Sequence, residues 1–96
     1  MKPQIYKSKP IEIEALQFDE SNISATAEYC KNDFRQTAEG YELKHISYGW
    51  VSLNHGDYVV KIEGGFYRTP KDVFESKYEL SNTKVTGGWY RDPKMI

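Results

Sequence analysis

Gly56-Asp57-Tyr58-Val59-Val60-Lys61 constrains this chain more than any other stretch. Asn54, Gly56 and Asp57 are turn formers, and they feed a run of strong β-formers. Gly64-Gly65 then makes a tight turn into the short strand Phe66-Tyr67-Arg68. Pro70, with Thr69 as its cap, opens a helical turn that puts Val73 and Phe74 toward the core. A hairpin closed by a short helix is the nucleus around which the rest must fit.

The flanking sequence supplies more strands and one longer helix. Residues 11–18 alternate apolar and polar with one slip at Ala15-Leu16, which a β-bulge would absorb. Asp19 to Asn22 reads as a helix start, capped by Ser21 or Asn22 with Glu20 at the positive end of the dipole. Ile23, Ala27 and Cys30 at i, i+4 and i+7 predict a helix over 22–31 with one buried stripe and Thr26 on its flank. Asn32 can end it in the left-handed conformation. Residues 34–39 show no clear period. Residues 41–46 and 50–53 read as strands joined by a turn over Ser47-Tyr48-Gly49, and 78–80 as a last strand.

The expected fold is α+β: a small antiparallel β-sheet of four to six strands packed against one main helix and one short helix. A single domain over 1–80 begins with a short basic N-terminal arm, and 81–96 forms a C-terminal extension. The expected core is Ile13, Phe18, Ile23, Ala27, Leu43, Val51, Leu53, Val60, Phe66 and Phe74. Trp89 and Tyr90 in the tail are too apolar to leave in water, so the tail should pack on its own sheet or on a second copy. On that ground a homodimer is expected.

Thirteen basic and fourteen acidic residues give a formal charge of −1, without the basic excess of a dedicated DNA binder. One cysteine, Cys30, cannot form an internal disulfide, and its place in the helix suits a small buried group. Met1 to Gln4 lacks the apolar core of a secretory signal, and no apolar run approaches a membrane span. A soluble cytoplasmic protein is expected.

Few residues point to chemistry. His55 and Asp57 would make an acid–base pair if their side chains met, but the turn they occupy explains them as well. A zinc site needs three or four ligands, which His45, His55 and Asp57 do not supply at ligand spacing. Gly64-Gly65 lies between strands, so a hairpin explains it better than a phosphate cradle. Glu12 and Glu14 fit a solvated strand face. No catalytic residue, cofactor or metal is expected. Tyr48, Trp50, Tyr67, Arg68 and Lys71 remain as aromatics and cations able to stack and pair with a nucleotide or a protein, with His55 nearby in sequence. Phe66 and Arg68 share one strand face, which draws Arg68 toward the buried side.

Three segments carry a family resemblance. They are Lys9-Pro10-Ile11-Glu12-Ile13-Glu14-Ala15-Leu16-Gln17-Phe18, the helix from Asn22, and Gly56-Asp57-Tyr58-Val59-Val60-Lys61 with Gly64-Gly65-Phe66-Tyr67 and Phe74-Glu75-Ser76-Lys77-Tyr78-Glu79. Together, over residues 6–80, they resemble a family of small proteins encoded by tailed phages and prophages. His55 stands where that family usually has proline, Gly65 where it often has glutamate, and Arg68-Thr69 where Pro-Cys is common. The resemblance implies phage provenance, and with an aromatic-rich domain and no catalytic set the expectation is a non-enzymatic accessory protein in the host cytoplasm. It would bind a host component, either a defence or regulatory protein or its nucleotide signal. The alternatives are a nucleotide or nucleic-acid binding module, and a virion or assembly component.

Overall fold

A computed structural model describes residues 12–83 and 86–93. The expected arm over 1–9, Ile11 and Val85 lie outside the described residues. In chain order the elements are β1 (Glu12–Gln17), α1 (Ile23–Cys30), β2 (Phe34–Thr37), β3 (Gly40–His45), β4 (Gly49–Leu53), β5 (Tyr58–Ile62), β6 (Gly65–Thr69), α2 (Lys71–Lys77), β7 (Glu79–Thr83) and β8 (Gly88–Arg91). The sheet runs β2-β3-β6-β5-β1-β8-β7, and β4 pairs with β3.

The sheet has eight strands rather than four to six. Residues 34–37 add an edge strand, and the tail adds β8 between β1 and β7. The sheet is also mixed, because His45 of β3 bridges Phe66 of β6 in parallel. All other pairings are antiparallel.

β5 explains the most constraining run of the sequence. Tyr58, Val59 and Val60 are all buried, so this strand is covered on both faces. Successive side chains on a strand point to opposite faces. Val59 accordingly joins Phe18, Cys30, Leu43, Leu53 and Phe66 in one cluster, to which α1 contributes Cys30. Val60 joins Ala15, Tyr58 and Phe74 in a second, which α2 closes with Phe74. Ile13, Ile23 and Val51 pack against these clusters without being fully buried.

The slip at Ala15-Leu16 needs no bulge. β1 keeps unbroken register from Glu14↔Lys61 to Gln17↔Tyr58. Its flanking strands, β5 and β8, lead to cores on both faces, so adjacent apolar residues can each find cover. The register shift lies in β7, between Leu80 and Asn82.

α1 begins through a 3₁₀ turn over Glu20–Asn22 whose cap is Asp19; Asn22 holds the N-cap position of α1 itself, without a side-chain cap bond. The Asp19 carboxylate accepts from the Ser21 N–H (2.8 Å), and the Asn22 side chain accepts from the Asp19 N–H (2.8 Å). The two side chains thereby satisfy free backbone donors of the first turn. The buried face is Thr26 and Cys30, with Ile23 and Ala27 half-buried. Thr26 can be buried because its hydroxyl donates to the Asn22 carbonyl (3.2 Å), which removes the usual penalty. The left-handed residue after the helix is Lys31 (φ 52°), not Asn32. At α2 the capping position is Pro70, with no side-chain cap bond from Thr69. Tyr90 of β8 packs against Tyr58 and Phe74, so its own chain covers it and a second copy is not required for that.

Candidate binding face

The sheet made by β2, β3 and β4 has an inner and an outer face. Register sets Phe34, Leu43 and Val51 in one inward row, and Tyr41 with Leu53 in the next. All five belong to the first core cluster or pack against it. Their neighbours must point outward. Arg35, Glu42 and Ser52 form one outward row, and Lys44 stands opposite Trp50 in the next.

On this outer face Trp50 is half-buried, and the Arg35 guanidinium lies 4.0 Å from its ring centroid. Glu42 holds that guanidinium in place: its Oε1 accepts from Arg35 Nε and lies 2.7 Å from Nη2. The three side chains form one ordered platform of ring, cation and carboxylate. Lys44 is exposed beside it. At the β3–β4 tip, Tyr48 is 80% exposed, and its ring sits 4.6 Å from the imidazole of His45. His45 Nδ1 accepts from the backbone N–H groups of Ser47 (2.9 Å) and Tyr48 (3.3 Å), which fixes the turn carrying that tyrosine. Ile46 in the same turn is 45% exposed.

The six residues singled out by sequence do not form one site. Tyr48 and Trp50 share one hairpin, Tyr48 in its turn and Trp50 on its outer face. Tyr67 and Arg68 lie on opposite faces of β6. Tyr67 packs against the second core cluster, and burial raises the pKa of its phenol. Arg68 turns inward: its Nη1 donates to the Ser52 carbonyl and to Asp57 Oδ2, both at 3.3 Å. Lys71 starts α2, and its side chain lies against Gly56 of the β4–β5 turn. His55 is exposed and pairs with Asp19 (3.7 Å), while Asp57 serves Asn54 and Arg68, so the acid–base pair is not assembled. Arg35 takes the place beside Trp50 that Arg68 was expected to fill. Its signal lay in the 34–39 segment, whose strand character was not legible.

Two further observations bound the chemistry. Burial pushes the Cys30 thiol up to about 12, as suits a core group rather than a nucleophile. Among the described residues no group of three or more His, Cys, Asp or Glu is placed to hold a metal ion, and no helix is long and apolar enough to cross a membrane.

At one end of the sheet a cleft of about 270 Å³ opens between the turn before α1, the β2–β3 turn and the β4–β5 turn. Glu20, Glu39, Glu42, Tyr41, Asn54 and His55 line it. Neither a family model, nor a curated protein, nor a solved structure matches the chain. What is in hand is a class: a mixed-sheet domain with two helices and an aromatic–cationic face at one end.

Proposed function

We propose that this chain is a phage-encoded accessory protein that acts in the host cytoplasm by binding a host protein through the outer face of β2, β3 and β4. The observation that carries the reading is the Trp50–Arg35–Glu42 platform, with the exposed Tyr48 in the turn of the same hairpin. Tryptophan, tyrosine and arginine are the residue types that dominate protein–protein contact energies. Here Trp50 and Arg35 stand on strands, pre-ordered by their own contacts, so little of their side-chain freedom is lost when a partner docks. Resemblance to the phage family over residues 6–80 supplies the setting.

A nucleotide signal is the weaker candidate. Glu42 already neutralises Arg35, and the adjoining cleft is lined by carboxylates that repel phosphate. The test is affinity capture from host lysate by the wild-type chain and by Trp50→Ala in parallel. At least one host protein should be enriched on wild type and lost from the variant. Lys71→Ala, on α2, should keep it. Identical protein sets on wild type and Trp50→Ala would remove the platform from any binding role.

A further inference from the structure

We infer that the β3–β4 turn is an acid-sensitive switch: it is held by the neutral form of His45, and protonation of that imidazole releases Ser47 and Tyr48. The backbone N–H groups of Ser47 (2.9 Å) and Tyr48 (3.3 Å) converge on His45 Nδ1. Both are donors, so Nδ1 offers its lone pair and the ring proton sits on Nε2. A proton added at Nδ1 turns the acceptor into a third donor. Both bonds are then lost together, and three N–H dipoles face one another.

The effect is local. Ile46 is tied separately: its N–H donates to the Phe66 carbonyl (2.9 Å), and its side chain lies over Gly64 and Gly65. Ser47 and Tyr48 are exposed, so water takes up the freed N–H groups and the domain stays folded. An imidazolium would be drawn to the Tyr48 ring, 4.6 Å away, but that attraction holds no backbone N–H. Histidine is the side chain that changes charge between about pH 5 and 8. The turn is therefore ordered above that range and loosens as the pH falls through it.

The surroundings leave the imidazole to answer to pH by itself. Across β4 it faces Gly49, and across β6 it meets Phe66, neither of which titrates. Asp33, with Lys31 before it, precedes Phe34, the partner of Leu43, and so lies toward the His45 end of β3. Glu63 is the charged residue of the β5–β6 turn under Ile46. Among the described residues none of these forms an ion pair with His45. If the hairpin is the contact surface proposed above, acid would weaken its hold on a partner by freeing Tyr48. That consequence rests on the protein-binding reading; the switch does not.

Backbone ¹⁵N relaxation on the free, full-length chain tests the switch without a partner. Order parameters at Ser47 and Tyr48 should fall from about 0.85 at neutral pH to below about 0.6 in acid, with the midpoint of the His45 ring titration. His45→Asn places an amide oxygen at the same position, an acceptor at every pH, and should keep the turn ordered throughout. His45→Ala should leave it loose throughout. A wild-type turn equally ordered at both pH values, a His45→Asn turn that loosens in acid as wild type does, or a His45→Ala turn ordered at neutral pH would each overturn the inference. None of these results bears on capture by the platform, which Trp50→Ala tests separately.

Discussion

Phe74→Ala should destabilise the domain by about 3–5 kcal/mol, the range for truncating a buried phenylalanine. Phe74 is 1% exposed. Its ring stacks on Tyr58 at 3.9 Å with planes 9° apart, and it meets the edge of Tyr90 at 4.9 Å. α2 has only seven residues and cannot persist on propensity alone. The ring therefore holds the helix down and also seats Tyr90 of β8 beside β1. Removing it opens a cavity shared by three elements that have little means of collapsing into it. Urea melts measure the effect: the midpoint should fall with the slope unchanged. A loss below ~1 kcal/mol would show that α2 does not close the second core cluster.

Asp57→Ala should cost about 2–3 kcal/mol. The Asp57 side chain is only 9% exposed and accepts from the Asn54 N–H (2.8 Å) and from Arg68 Nη1 (3.3 Å). Truncation strands a turn N–H and leaves Arg68 without its carboxylate. Breaking a fully buried pair costs roughly 3–5 kcal/mol, and the 30% exposure of the Arg68 side chain lowers the figure here. Arg68→Ala, which a purely surface role would leave nearly neutral, should also destabilise. The double variant should cost less than the sum of the two single changes, with a coupling of about 0.5–3 kcal/mol in denaturant melts. Strict additivity would mean that the pair does not lace β6 to the β4–β5 turn.

How much of this was legible in sequence depended on how each residue is satisfied. β5 was legible because Tyr58-Val59-Val60 is a continuous apolar run between turn formers, and both faces of the strand proved to be covered. α1 was legible from its spacing. Its buried face was legible in part: Cys30 is inside and Ile23 packs on the core as expected, but Thr26 goes inside on the strength of a bond to the Asn22 carbonyl, which hydropathy does not register. β2 lies at the sheet edge with Arg35 and Gln36 exposed, so it lacks the alternation that marks a half-buried strand. That gap hid Arg35 and, with it, half of the platform. β8 was legible only as a tail that must pack on its own sheet or on a second copy; its place in the sheet was not. A four-residue strand that itself opens on Gly88, after Gly87, looks like an extension until β1 is seen to offer it an edge. The inward turn of Arg68 was readable from the face it shares with Phe66, although its two acceptors were not.

The central claim is that the outer face of β2, β3 and β4 is the contact surface. Hydrogen–deuterium exchange on the full chain, free and bound to the protein it captures, tests this most directly. Added protection should fall on peptides covering residues 34–53 and leave α2 unchanged. Protection confined to α2 or to β7 and β8, with residues 34–53 exchanging as in the free chain, would contradict the account.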